Sequence, residues 1–361
     1  MPSTKRSFAS RIAAWQQRHG RHGLPWQGTR DPYRIWLSEI MLQQTQVATV
    51  IAYYERFLAR FPDIATLAAA PDEEVMRLWS GLGYYARARN LLRAARTVVG
   101  EHRGRFPLAI ESVAALPGIG PSTAAAIVAF STGEPHAILD GNVKRVMARH
   151  FGIAGAVDAA ATLSKLWMVA RAVLPAAGIE TYTQGLMDLG ATVCTRTHPR
   201  CVRCPVRRTC VALRDGLIGE LPGRKAARAS PMKDVIMLVA VSRGEVLLQK
   251  RPPAGIWGGL WSLPEAPVES DPRAWCRDTL GLRVTDLEAL APFTHAFSHF
   301  RLCVRPWLVH AAGVRGAAEG AGLMWLALQD AEGAALPAPV KKLLTKLASP
   351  KAPRARQGGT R

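Results

Sequence analysis

The stretch that most constrains this chain is residues 194–210, where four of its six cysteines fall as Cys194, Cys201, Cys204 and Cys210, a Cys-x6-Cys-x2-Cys-x5-Cys spacing. Any fold must turn this short segment so tightly that four thiols gather. Thiolates gathered in this way bind a metal centre, and zinc or an iron-sulfur cubane each satisfies the spacing, with disulfides the weaker alternative. Cys276 and Cys303 lie apart and read as small buried residues. The first twenty residues lack an apolar signal-peptide core, and no run of about eighteen apolar residues occurs. A cytoplasmic protein is expected, nucleoid-associated if bacterial.

At 361 residues and 48% hydrophobic content the chain is long enough for two cores. Its formal charge of +20 is unevenly placed. Residues 1–215 carry 27 basic against 15 acidic side chains, residues 216–233 four against one, residues 234–348 twelve against eleven, and residues 349–361 four against none. An excess held in the first region, a connecting stretch and a tail points to a polyanion, nucleic acid first.

Ahead of the cysteines the pattern is helical, with no sustained strand alternation before residue 215. Residues 31–46 open on Asp31 and Pro32, a good helix start, and place Ile35, Trp36 and Leu42 around Glu39 at helical spacing. An apolar setting raises a carboxyl pKa and makes it a usable acid; the plainer alternative is a glutamate reaching for water beside a core stripe. Gln43, Gln44, Thr45 and Gln46 are polar where that helix would continue, and suit a cleft wall. In residues 81–90, GLGYYARARN, Leu82 and Tyr84 offer an apolar or aromatic wedge between bases, with Arg87 and Arg89 at phosphates behind it; core packing of the tyrosines, Tyr84 and Tyr85, is the plain alternative.

In residues 116–130, Pro117, Gly118 and Gly120 form a tight turn into an Ala-rich helix that Pro121 opens. The turn leaves backbone N–H groups free for a phosphate, or simply joins two helices. Asp140 follows that helix by ten residues, precedes Gly141, Asn142 and a basic helical segment, and is placed as its N-cap. Helical patterning resumes over residues 163–189. Residues 216–233 are rich in Gly, Pro and basic side chains and read as a linker. Strand-like runs at 234–250, 300–311 and 323–326, then a helix at 338–347, predict an α+β domain over 234–348; residues 349–361 read as a disordered basic tail.

The segments LSEIMLQQTQ (37–46), GLGYYARARN (81–90), LPGIGPSTA (116–124) and LDGNVKRV (139–146), with the cysteine spacing, resemble the adenine DNA glycosylase (MutY) family of helix-hairpin-helix glycosylases over nearly the whole chain. The resemblance implies a multidomain fold. An all-α helix-hairpin-helix glycosylase domain over 1–215 would carry the hairpin near 112–130 and the iron-sulfur loop at 194–210, with two helical subdomains flanking a DNA cleft and the N-terminus returning to the cluster side. An α+β Nudix-like domain would follow. The resemblance also selects a 4Fe-4S cluster for Cys194, Cys201, Cys204 and Cys210, a choice the spacing leaves open.

By the same resemblance Glu39 would protonate N7 of a flipped adenine and Asp140 would face the sugar, the two roles an oxocarbenium-like state requires. Leu82 and Tyr84 match the family's wedge, and Gln44, Thr45, Gly118, Gly120, Ser122, Asn142 and Lys144 are expected at the DNA. Ser122 stands where strand-cleaving relatives carry a lysine that attacks the sugar, which implies an abasic product in an intact strand. Residues 293–300, FTHAFSHF, resemble the family's 8-oxoguanine loop, with Phe297, Ser298 and His299 as its readers; the plainer alternative is a hairpin whose phenylalanines pack into the second domain. Residues 259–281 resemble the Nudix box, but its paired glutamates are missing and arginine stands among them, so a recognition role is expected in place of hard-cation binding. The expected activity is removal of adenine opposite 8-oxoguanine or guanine in duplex DNA by a monomer. The competing class is a damage-binding protein on the same scaffold without chemistry.

Overall fold

The structure, a computed structural model, describes residues 3–223, 230–297, 299–312 and 322–348. Ser298, part of the linker and the basic tail lie outside the described residues. By contacts the chain divides into two units, Met1–Ala70 with Arg89–Ala227, and Pro71–Ala88 with Arg228–Arg361.

The first unit is helical. It holds α1 (Ser3–His19), α2 (Pro32–Leu42), α3 (Val47–Arg60) and α4 (Ile64–Ala69); α5 (Asp72–Trp79) falls in the second unit, and α6 (Ala86–Glu101) crosses back. There follow α7 (Ile110–Ala115), α8 (Pro121–Thr132), α9 (Gly141–Phe151), α10 (Ala160–Ala172), α11 (Ile179–Asp188) and α12 (Val211–Arg214). Local chemistry sets these ends. Asp31 caps α2 by accepting from Tyr33 N at 2.9 Å, with Pro32 in the first turn where its missing N–H costs nothing. The hairpin turn ahead of α8 has Pro117 at its second position and Gly118 at its third with φ +79°, closed by Ile119 N to Leu116 O at 3.2 Å. A Cβ on Gly118 would lie 2.7 Å from Asn90 Cβ, so glycine is required there by conformation and by space.

Two helical readings are corrected. Residues 31–46 are not one helix: α2 ends at Leu42, Gln44 takes φ +56°, and α3 begins at Val47. Residues 163–189 break after Ala172, where Pro175 and left-handed Gly178 (φ +70°) intervene, and α11 then runs into a π turn over Leu189–Val193.

Two apolar bodies hold this unit. Trp36, Leu37 and Met41 of α2 are buried together with Tyr54, Phe57 and Phe61 from α3 and its end. The other core joins Ile12 of α1, Ala126 of α8, Met147 of α9, Leu166 of α10 and Leu186 of α11, with Cys194 and Cys204 packed at its edge. The N-terminal helix therefore packs into the core that the cysteine loop borders. Because α2 packs on both α3 and α8, it connects the two bodies. The expected linker does not start free: Leu221 O accepts from Arg149 Nε at 2.8 Å, and Gly223 bridges to Ala156 with no room for a Cβ against Gly155 O at 2.8 Å.

The second unit is built on one sheet. Strands β1 (Met232–Ser242), β2 (Glu245–Lys250), β3 (Trp261–Ser262), β4 (Glu265–Ala266), β5 (Arg283–Ala289), β6 (Phe293–Ala296), β7 (Arg301–Ala312) and β8 (Leu323–Ala327) are joined by α13 (Pro272–Leu280) and α14 (Ala338–Ala348). β1 and β7 run parallel at the centre, the path is β3-β2-β1-β7-β5, and the other pairings are antiparallel. The β1–β2 hairpin turns on Arg243 (φ +50°) and Gly244 (φ +83°), the double left-handed turn that matches strand twist. Ile236, Leu238 and Ala240 on one face of β1 meet Cys276 and Leu280 of α13. The box-like segment thus forms a helix that covers the sheet, with Arg277 and Asp278 paired at 2.7 Å on its exposed side. α5 belongs here through Glu73, which faces Lys250 at 3.8 Å and accepts from Trp261 Nε1, and through the Ser80 Oγ to Leu336 O bond at 2.8 Å just past its end.

Candidate active site

A cavity of about 1100 Å³ opens in the helical unit, lined by Glu39, Gln44, Thr45, Ser122, Asp140 and Asn142 together with Gln43, Arg21 and Arg145. Five elements or turns bring these residues together. Glu39 sits on α2 one turn before its end, and the polar break after Leu42 lays Gln43, Gln44 and Thr45 along the wall. The left-handed Gln44 backbone is unusual for a residue with a side chain, and such conformations persist where the surroundings impose them.

Glu39 keeps some surface on the cavity but lies deep. Burial, and after it the charge of Asp140, pushes its pKa from 4.5 up to about 8. Asp140 is the N-cap of α9 and accepts from Val143 N at 2.7 Å. Burial also raises the Asp140 pKa, opposed by the Val143 and Asn142 N–H groups, Arg145 and Lys144. Opposing forces of this kind divide the roles: the group without compensating donors holds its proton, and the one at a helix N-terminus with cations nearby is better able to stay ionised.

Ser122 Oγ accepts from Leu139 N at 2.9 Å, so its hydroxyl fixes the strand of backbone that delivers Asp140. Lys144 pairs with Asp158 at 3.1 Å and, like Gly118 and Gly120, does not line the cavity. Asn142 Oδ1 accepts from Arg145 Nη2 at 2.8 Å. Gly190 in the π turn packs so closely on Asn142 that a Cβ there would come within 2.6 Å of Asn142 Cβ.

The four cysteine thiols lie close enough to act on one another: burial first, and the other three cysteines with it, push the Cys204 thiol up to about 12 against the lowering effect of the Val206 N–H. No three or more of the described His, Cys, Asp and Glu side chains converge as a ready single-ion site. The clustered donors in the loop are the four thiols; its one imidazole, His198, is exposed. Two arginines that the sequence reading passed over hold this loop. Arg145 donates to Cys194 O and Gly190 O, both at 2.7 Å. Arg149, 3% exposed, donates to Thr195 O at 2.7 Å, Arg196 O at 3.1 Å and Leu221 O at 2.8 Å, with Nη1 3.5 Å from Cys194 Sγ. Their spacing on α9, four residues and one turn apart, was the available signal.

The remaining site residues lie in the second unit. Tyr84 is 46% exposed at φ +48°, but Leu82 is only 5% exposed. Arg87, expected at phosphate, is instead buried: it donates to Leu82 O and Gly83 O and stacks 5.4 Å from both the Trp79 and Tyr84 ring centres. Phe297 stacks on Phe300 at 4.5 Å and lies 5.6 Å from Trp257, while His299 is exposed with its ring 4.9 Å from Phe300.

Residues 37–171 match the profile of the HhH-GPD superfamily base excision DNA repair proteins, and residues 235–346 that of the NUDIX domain. An adenine DNA glycosylase of Buchnera aphidicola subsp. Acyrthosiphon pisum is 33% identical over 94% of this chain and 97% of its own length. The chain belongs to the adenine DNA glycosylase family. The adenine DNA glycosylase of Mus musculus is 32% identical over 93% of this chain and 77% of its own length, and that of Homo sapiens 31% over 93% and 73%. Among solved structures, a thermostable thymine-DNA glycosylase superposes with a TM-score of 0.54 at 29% identity, over 58% of this chain and 97% of that one. A non-covalent Endonuclease III-DNA complex superposes at 0.51 with 21% identity, over 60% and 98%, and shares the fold. Membership in the adenine DNA glycosylase family accounts for the helical unit and the Nudix-like sheet in one chain.

Proposed function

We propose that this chain excises adenine standing opposite 8-oxoguanine or guanine in duplex DNA, by hydrolysis of the N-glycosidic bond, and leaves an abasic site in an intact strand. The observation that carries it is a pair of carboxyls on one cavity in different settings: Glu39, whose pKa burial raises to about 8, and Asp140, which burial also raises but helix N–H groups and nearby cations oppose. Glu39 donates a proton to the flipped base, which makes it a leaving group; Asp140 stabilises the cationic sugar. Burial within a stack makes the base unreachable, so the enzyme must extrude it, with Tyr84 and, after turning outward, Leu82 filling the gap. Gly118 and Gly120 receive a phosphate at the hairpin, and Gln44, Thr45, Asn142 and Lys144 contact the strand. No helix of the described residues is long and apolar enough to cross a membrane, and we place the monomeric enzyme in the cytoplasm on DNA.

The test is a duplex with one adenine opposite 8-oxoguanine, analysed with and without alkali. Ser122 carries no amine and its hydroxyl is engaged by Leu139 N, so strand breaks should appear only after alkali or heat. Efficient scission without alkali, abolished by replacing one lysine, would overturn the assignment of a purely hydrolytic enzyme.

Cys194, Cys201, Cys204 and Cys210 would hold a 4Fe-4S cluster. The residues fit it: four thiols clustered on one short loop whose His198 is exposed, with Arg149 beside Cys194 Sγ as a donor to sulfur. When bound, the cluster ties the four thiolates into one cross-linked loop on the core shared with α1 and α9. Purified protein should be brown and contain about four irons per chain. Stoichiometric zinc in protein made anaerobically with ample iron would refute this.

Lesion reading falls to Phe297, Ser298 and His299. Adenine is a normal base, so the choice to remove it must come from the opposite strand. His299 is exposed at the turn, while Phe297 is held in the aromatic stack and sets the turn's position. Ser298→Ala with His299→Ala should narrow the preference for 8-oxoguanine over guanine on the order of ten- to a hundredfold, with adenine excision retained. Single-turnover rates on the two duplexes at one salt concentration give the ratio, and an unchanged ratio would place lesion reading elsewhere.

A further inference from the structure

The turn that carries Leu82 and Tyr84 has two roots. One is Arg87, whose guanidinium donates to Leu82 O at 3.3 Å and Gly83 O at 3.2 Å. The other is Ser80, at the end of α5, whose Oγ donates to Leu336 O at 2.8 Å. Between them Gly81 (φ +103°) and Gly83 (φ +72°) let the turn change shape. Two helical turns before Ser80, Glu73 accepts from Trp261 Nε1 on β3, and Lys250 Nζ lies 4.7 Å over that indole and 3.8 Å from Glu73 Oε1. From this seat a stiff connection runs to the reader turn. Trp261 N donates to Ala335 O at 3.1 Å, one residue before the carbonyl that Ser80 holds. The loop leading into β3 is closed by Arg251 N to Leu260 O at 2.8 Å and Leu260 N to Trp257 O at 3.0 Å. Trp257 is buried at φ +54°, which a bulky residue keeps only where its surroundings fix it, and a Cβ on Gly258 would collide with Pro253 O. Its indole centre lies 5.6 Å from that of Phe297 and 5.9 Å from that of His295.

We propose that Glu73, Ser80 and Trp261 are positioning residues that couple lesion reading to base extrusion: the turn that fills the gap is seated, through β3 and Trp257, on the turn that meets the opposite base. The proposal rests on the adenine-excision reading above and deepens it. A reader contact made equally with the paired and the extruded state tightens binding and lowers no barrier. Recognition of 8-oxoguanine therefore speeds excision only where it favours the extruded state. Two unconnected turns would leave extrusion indifferent to what the reader meets. The seat gives them one spacing: with the reader turn on 8-oxoguanine, Tyr84 and the turning Leu82 stand at the step beside the adenine, and with guanine opposite that register is not enforced. Leu82, 5% exposed and due to turn outward, is the element with two positions that the seat biases.

The experiment uses the full-length protein in saturating excess over duplexes with one adenine opposite 8-oxoguanine or opposite guanine. 2-Aminopurine beside the adenine reports extrusion by its fluorescence, and quenched samples report excision. Trp261→Phe keeps an aromatic ring under Lys250 and loses the donor to Glu73; Ser80→Ala loses the donor to Leu336 O. Each should slow extrusion opposite 8-oxoguanine by about three- to tenfold, and the two together by more, with excision opposite guanine and the melting temperature unchanged. Added to Ser298→Ala with His299→Ala, the two seat substitutions should narrow the ratio between the duplexes no further, because reader and seat act as one unit. Extrusion at the wild-type rate in the doubly substituted seat would overturn the proposal. So would an additive loss in the combined variant, or equal slowing on both duplexes. A wild-type protein that extrudes the adenine and releases none would instead refute the excision reading itself.

Discussion

Replacing Glu39 by glutamine should slow adenine release by about 10²–10⁴-fold while DNA binding persists, and Asp140→Asn should do the same. In Glu39→Gln the amide keeps the volume of the acid and loses its transferable proton. In Asp140→Asn the amide keeps the cap oxygen for Val143 N and loses the charge that faces the sugar cation. Near wild-type excision by either variant would remove that residue from the mechanism. The wild-type rate should hold up to about pH 8 and fall above it, as Glu39 loses its proton. On the acid side it should fall as Asp140 protonates, at a pH above the ordinary aspartate value because burial raises that group.

A stability measurement separates this chemistry from misfolding. The unfolded chain releases the Glu39 proton near 4.5 and the folded chain only near 8, so this group's contribution to stability is full below 4.5 and is lost as pH rises through about 8. Glu39→Gln has no such loss. Its melting temperature should exceed that of the wild type, by a margin that widens with pH until about 8 and then stays level.

The other large effect is expected at Arg149. Arg149→Leu leaves the carbonyls of Leu221, Thr195 and Arg196 without their buried donor, which should cost on the order of 3–5 kcal/mol and release the cysteine loop from α9. Thermal melting and iron per chain should both drop. Arg149→Lys should recover only part, because one ammonium cannot span three carbonyls as a planar guanidinium does. Wild-type melting and iron in Arg149→Leu would show the loop to be held by other means.

What could be read beforehand was whatever short-range chemistry controls. The Asp140 cap, the Pro117–Gly118 turn and the Asp31–Pro32 helix start each depend on residues within four positions, and each is where the pattern placed it. Glu39 in an apolar setting followed from helical spacing alone, and the raised pKa agrees with it. The break at Gln43–Gln46 carried no glycine or proline to announce it, although Gln44 takes φ +56° there. Leu82 and Arg87 looked like a surface wedge and its cation, yet Trp79 and the turn's own carbonyls draw them inward. Arg145 and Arg149 were passed over because their partners lie about fifty to seventy residues away in sequence.

The strap formed by Gly219, Leu221, Pro222 and Gly223 lines the same cavity as Glu39 and Asp140, and Arg149 and Ala156 hold it there. For the modular history of such a chain this moves the seam. A recombination that joined the helical unit to a different partner at residue 215, where composition changes, would carry away part of the active-site wall; one made just after Gly223 would keep it. Grafting this catalytic unit onto another recognition domain should therefore succeed or fail on eight residues that, by composition, belong to neither.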